Sequence, residues 1–244
     1  MDPVDSQCIT VEPPPGTKYL THGFAAHIYV TLDSDYVIKR PKEFEDDESL
    51  DFRGLVDNER EIYDRIGNHD GVIGYHGYDQ KSGSIKLVCA SDGDLTDFIK
   101  NKPKPDQKMR SKMMRHISNT LLYFYSHNVA IQDIKTDNVL MHRGIPKLCD
   151  FTQGIRYPLT EKMQDVCPEE VLGRDLLGIG CVLYSISTWK VFNYDFDNER
   201  RWPTSDDLES TENVQFGKII ENCWHRKYSS IEDFHNDITG VETE

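Results

Sequence analysis

The stretch "NVAIQDIKTDNVL", residues 128–140, places Asp133 and Asn138 five residues apart with Lys135 between them. One such residue alone carries little meaning, because surface Asp and Lys are common and mostly solvated. The context sharpens the reading. Residues 108–127 lead directly into the stretch, with Met113, Ile117, Leu121 and Phe124 recurring at helical steps, so an amphipathic helix is expected there. Beyond it comes "CDFTQG", whose Asp150 stands twelve residues after Asn138.

Composition narrows the classes of function. The 244 residues suffice for one two-lobed domain with a buried core. A net charge of −14 would repel nucleic-acid backbones and anionic lipid, so neither nucleic acid nor membrane is an expected partner; basic or neutral proteins are. No run of about 18 apolar residues occurs, and "MDPVDSQCIT" has neither a basic nor an apolar leader segment. Six cysteines lie far apart without a CxxC pair, which argues against a zinc site or secreted framework. A soluble protein of the reducing cytoplasm is expected, with the nucleus also open. The nine histidines show no metal spacing and read as structural or solvent-facing.

Outward from the quoted stretch, the first third is strand-rich. "VEPPPGT" closes a flexible tail or extended strap, residues 1–17, and the ordered domain is expected near Lys18. Two β-branched and aromatic runs, 26–32 and 36–39, flank "DSD" as a hairpin. The acidic run "EFEDDESLD", 43–51, reads as a solvated face or loop. In "LVDNEREIYDRIG", Leu55, Ile62 and Ile66 mark one helical face and Gly67 a stop. "GVIGYHGYD" and "SIKLVCA" read as strands around a turn. The remainder is helical: "RDLLGIGCVLYSIST", from 174 to about 188, is apolar on most sides and reads as a core helix, and "FGKIIENCW" and "SIEDFHNDI" supply the last helices.

The order of these motifs resembles the eukaryotic protein kinase family over roughly residues 18–238. That resemblance implies an α+β, bilobal protein-kinase-like fold: a small β-rich N-lobe (about 18–90) with one αC-type helix, a larger helical C-lobe (about 91–238), and a C-terminal tail, 239–244. It implies ATP and Mg2+, and phosphoryl transfer to Ser/Thr hydroxyls of protein substrates. Asp133 looks like the residue that orients the acceptor hydroxyl and takes its proton, Lys135 like a donor to the transferring phosphate, and Asn138 and Asp150 like the magnesium ligands. The chemistry suits these types, because phosphate oxygens and an incoming hydroxyl repel one another unless a cation on hard oxygen ligands intervenes.

"YVIKRP" resembles the family's Val-Ala-Ile-Lys strand, which makes Lys39 the ligand of the α- and β-phosphates. Glu59, twenty residues on, is preferred over Glu61 as its counter-ion. Gly23 and Ala26 fall in the nucleotide-covering loop, Leu87, Val88, Cys89 and Ala90 in the hinge that reads adenine, and Asp94 is a candidate for the ribose hydroxyls. Pro168 and Glu169 resemble the anchor of the activation segment, with Arg226 (or Lys227) the expected ion-pair partner of Glu169. Asp175 resembles the aspartate that begins the central helix and braces the catalytic loop.

Four departures stand out. "THGFAAHIYV" keeps one glycine, with Thr21 and Ala26 in the other two places, which weakens backbone approach to phosphate. Ile131 and Gln132 replace His-Arg, and uncharged Gln132 removes the group that receives an activation-loop phosphate. Thr152 replaces the glycine of Asp-Phe-Gly and should hold Asp150 in one position. Finally, only six residues separate Glu169 from Asp175, so the substrate platform is trimmed. Tyr157 and Thr160 are candidate phosphorylation sites, and Cys149 a candidate thiol facing the nucleotide. The alternative is a pseudokinase that binds nucleotide or scaffolds partners. A small-molecule kinase fits less well, because it would lack Lys135.

Overall fold

The computed structural model describes residues 12–32, 35–43 and 51–241. The tip of the "DSD" turn, most of the acidic run and the outermost residues of both tails lie outside them. The chain divides into two compact units. One holds the described residues up to Asn68 together with Ile73–Cys89; the other holds His69–Val72 and the described residues from Ala90 onward.

In the first unit, β1 (Thr17–His22), β2 (Ala26–Thr31) and β3 (Tyr36–Pro41) precede helix α1 (Phe52–Ile66), followed by β4 (Tyr75–Asp79) and β5 (Ser84–Val88). The strands form one antiparallel sheet in the order β1-β2-β3-β5-β4. The hairpin reading of β2 and β3 is met, whereas β1 is an additional strand: "TKYLTH" has no apolar alternation and lies at an exposed edge, so nothing in its pattern announces it. Asp51 caps α1 by accepting from the Gly54 N–H at 2.7 Å, and Gly67 ends it at φ 62°. The buried face of α1 is Phe52, Val56, Glu59, Ile62, Tyr63 and Ile66. Leu55 is only half-buried, one position round from the stripe that Ile62 and Ile66 define.

The second unit begins with α2 (Leu95–Asn101) and α3 (Gln107–Ser126). Then come β6 (Val129–Ala130), a 3-10 turn (Thr136–Asn138), β7 (Val139–His142), β8 (Ile145–Leu148) and β9 (Ile155–Arg156). Helices α4 (Met163–Val166), α5 (Glu169–Thr188) and α6 (Phe196–Glu199), a second 3-10 turn (Ser205–Asp207), α7 (Gly217–Trp224) and α8 (Ile231–Gly240) complete it. Met113, Ile117, Leu121 and Phe124 are all buried on α3, as their spacing predicts. Helix α2 was not legible, because seven residues offer barely two turns of periodicity.

Helix α5 is longer than its apolar core suggests. Pro168 stands at its N-cap in extended conformation, and Glu169 and Glu170 occupy the first turn, where carboxylates suit the positive end of the helix dipole. At 20 residues it is long and apolar enough to cross a membrane by length and composition, yet 72% of its most apolar window is buried within this unit. It packs against α3 and α7 and is a core helix.

Gly178 allows α5 to approach the quoted stretch: a Cβ there would lie 2.4 Å from the Ile134 carbonyl oxygen. Backbone cannot yield as a flexible side chain can. Gly178→Ala is therefore expected to destabilise the protein by about 1–3 kcal/mol, the usual range for overpacking, as read from its urea midpoint. An unchanged midpoint would show that the loop can retreat without cost.

Candidate active site

In the first unit the expected phosphate ligand, Lys39, stands in one ion pair. Lys39 sits in the middle of the sheet, registered with Ile28 of β2 and Ile85 of β5. Its Nζ lies 2.6 Å from Glu59 Oε2, and the side chains are 7% and 0% exposed. Burying both charges costs several kcal/mol per ion in desolvation, so such a pair is a weak source of stability. Its evident use is to hold an ammonium at a set point. Glu61, the alternative, is half-exposed and meets Arg60 at 3.1 Å.

Gly23 stands in the turn between β1 and β2, where its N–H donates to the Ala26 carbonyl at 2.9 Å, while Ala26 is buried. Phe24 is 67% exposed and sets its ring edge-on to Phe52 at 5.6 Å. Leu87 and Val88 belong to β5. The N–H of Val88 donates to Gly74 and that of Cys89 to Asp35, each at 2.8 Å, so both amides are engaged within this unit.

In the second unit the quoted stretch is built around Asp175, which is completely buried. Its carboxylate accepts from Gln132 N (2.6 Å), Ile131 N (2.8 Å) and Tyr125 Oη (3.0 Å). Gln132 adopts a left-handed φ of 69°, and its side-chain amide donates to the Val171 carbonyl at 2.9 Å. The backbone is thereby turned so that Asp133 follows.

Asp133 Oδ2 receives Lys135 Nζ and Asn138 Nδ2, each at 2.8 Å, and Asn138 Nδ2 also reaches the Asp133 carbonyl at 2.9 Å. Thr136, fully buried, fixes the turn between them through Asn193 and Thr96. Burial disfavours the Lys135 charge, but the hydrogen bond and charge of Asp133, with Asp150 and Asp137 adding, outweigh it and raise its pKa. Lys135 is an ammonium at neutral pH.

Asp150 adopts φ 59°, and Thr152 Oγ1 donates to its Oδ1 at 2.9 Å. Phe151 is buried against Phe124 at 4.8 Å. Cys149 donates both its N–H (3.0 Å) and its thiol (3.3 Å) to the Asn138 carbonyl, which ties the two expected metal residues together. These residues suit magnesium. Asn138 turns its amide nitrogen toward Asp133 and so directs its oxygen elsewhere, and Asp150 adds a carboxylate. Among the described residues no group of three or more His, Cys, Asp and Glu could cage an ion, so a cation here would complete its shell with water and substrate oxygens, as magnesium does.

One expectation changes. Glu169 makes no ion pair with Arg226 or Lys227 among the described residues; the Arg226 guanidinium lies over the Trp202 ring at 4.4 Å. With so few residues before Asp175, Glu169 is absorbed into the first turn of α5 rather than standing on a separate anchor. Asp94 is the N-cap of α2, accepting from the Asp97 N–H at 2.8 Å. Burial pushes its carboxyl up while that amide opposes the shift. Tyr157 is half-buried, its hydroxyl pushed up to about 12 by burial first and then by Cys167, whereas Thr160 is exposed. Sequence reasoning missed Asn128, Thr96 and Asn193. Only Asn128 left a signal, as an Asn suited to the left-handed backbone just before the loop.

A sequence model of the protein kinase domain matches residues 28–235, and the chain belongs to that family, whose members use ATP and Mg2+. Among curated relatives it is similar to NUAK family SNF1-like kinase 2 of Rattus norvegicus, 28% identical over 134 residues, 48% of this chain and 21% of that protein. It is likewise similar to serine/threonine-protein kinase PLK4 of Drosophila grimshawi, 30% over 152 residues (54% and 20%). The third is MAPK/MAK/MRK overlapping kinase of Homo sapiens, 28% over 153 residues (54% and 36%). The matches thus span between a fifth and just over a third of these relatives' length.

Burial raises the Asp175 carboxyl to about 6, and its three hydrogen bonds only partly oppose the shift. Because the folded value lies above the unfolded one, the protonated form favours folding. That contribution is complete below about pH 4 and is lost as pH rises through about 6, amounting to about 3 kcal/mol. The stability of wild type minus that of Asp175→Asn should therefore fall across this window; a flat or rising difference would contradict the assignment.

Proposed function

We propose that this protein transfers the terminal phosphoryl group of ATP to Ser/Thr hydroxyls of protein substrates. The observation that carries the proposal is the Asp133 carboxylate, held from two sides by Lys135 and Asn138 at 2.8 Å. Asp133 orients the incoming hydroxyl and accepts its proton, while Lys135 offers a donor to the transferring phosphate. Asn138 and Asp150 hold Mg2+, which neutralises charge on the phosphate oxygens. Lys39, kept in place by Glu59, takes the α- and β-phosphates. The net charge of −14 supports basic protein substrates over nucleic acid or anionic membrane. Gln132 supports activity without a phosphate on the activation segment, because it engages Val171 and carries no charge to meet one. The cysteine spacing supports a reducing compartment, the cytosol.

A binding module that retains nucleotide but transfers little is the second reading, favoured by the engaged amides of Val88 and Cys89 and by Thr21 and Ala26 in the glycine loop. The two separate in one assay: magnesium-dependent transfer from labelled ATP to a basic generic protein. Wild type is expected to transfer, and Asp133→Asn and Lys39→Met to lose roughly 10²–10⁴-fold. ATP binding without transfer, equal in wild type and Asp133→Asn, would overturn the first reading for the second.

A further inference from the structure

The segment after Asp150 has no arginine at position 132 to hold it through a phosphate, yet it is fastened at several points. Strand β9 pairs with β6, Val129 opposite Arg156 and Ala130 opposite Ile155. Asn128, immediately before β6, is buried and adopts φ 55°. Its carbonyl accepts from the Tyr157 N–H at 2.8 Å. Its side-chain Nδ2 donates to the carbonyls of Pro158 (2.6 Å) and Glu161 (2.8 Å). Those two carbonyls bracket a turn that is itself closed by Glu161 N to Pro158 O at 3.3 Å. The turn displays Leu159, 67% exposed, and Thr160 at its tip.

We propose that Asn128 is the positioning residue of this segment: its amide takes the place of a phosphate–arginine clamp and sets the 158–161 turn for contact with a protein substrate. The proposal rests on the kinase reading above and deepens its regulation. Several features support it. One amide group serves two carbonyls 30 and 33 residues away in sequence, an arrangement that ordinary loop packing does not require. The left-handed backbone at Asn128 points that amide across to the turn while its own carbonyl holds Tyr157. Nothing in this set of contacts depends on a charge being added.

Two variants separate the side chain from the backbone. Asn128→Gly keeps the positive φ without strain and removes both donors, and Asn128→Asp keeps the shape but offers acceptors to two carbonyls. Tyr228→Phe, which removes a single hydrogen bond to Asp237 (2.8 Å) outside the segment, controls for general destabilisation. With protein shown by mass to be unphosphorylated, amide hydrogen exchange would be read over 155–162 and over α3. Both Asn128 variants are expected to speed exchange in the segment about tenfold or more with α3 unchanged, as loss of two internal hydrogen bonds implies. They should also raise KM for the protein substrate several-fold while KM for ATP stays put. Unchanged exchange in the segment, equal acceleration in α3, or a matching rise in KM for ATP would each overturn the proposal. Should wild type show no transfer at all, the kinase reading falls, and the exchange result still decides whether Asn128 holds the turn.

Discussion

A buried carboxylate with three donors organises the second unit. Asp175 projects from the second turn of α5 and takes the backbone N–H groups of Ile131 and Gln132 and the hydroxyl of Tyr125 on α3. Buried amides without partners would each cost free energy, and Gln132 carries in addition a left-handed backbone. Removing this acceptor would leave the loop with neither its partner nor a reason to hold that turn. The placing of Asp133, Lys135 and Asn138 follows from it, as does the need for Gly178, one turn of helix farther on, to lack a side chain.

Polar groups are buried in this protein where they set positions rather than where they add stability. Lys39 and Glu59 occupy an otherwise apolar helix face and sheet centre. Thr136 is held by Asn193, Asp150 by Thr152, and the activation segment by Asn128. Each bond is ordinary in strength; together they leave these side chains few alternative arrangements. The departures from the family pattern fit the same scheme. Thr152 replaces a glycine with a hydroxyl that grips the neighbouring carboxylate, and Gln132 replaces a charge with an amide that finds a carbonyl on α5.

Where residues repeat along one face, the sequence is a sufficient guide. The stripe on α3 is read correctly because 20 residues give the helical period ample room. On α1 the helix and its glycine stop are legible, while Leu55 is mistaken for Val56, since a stripe is drawn to the nearest large apolar residue. Strand β1 and helix α2 escape notice, one for want of alternation and the other for want of length. The candidate site residues stand out through type and order: Asp133, Lys135, Asn138 and Asp150 occupy one stretch and its successor, and their resemblance to the kinase motifs is what implies hard-cation and proton chemistry.

What the sequence by itself determined is thus the set of chemical groups, the principal elements and, through the kinase resemblance and the place of Glu59 beside Ile62 and Ile66, the expected partner of Lys39. What only the tertiary structure decided is which of those groups meet. The six-residue step from Glu169 to Asp175 does not reveal that α5 swallows both, leaving Arg226 to lie over Trp202 instead of pairing with Glu169. That Asp94 caps a helix shows only once α2 starts after it. Asn128 gains its meaning from carbonyls 30 and 33 residues away. Local pattern encodes periodicity and propensity, but a hydrogen bond between distant residues exists only once the chain between them has folded.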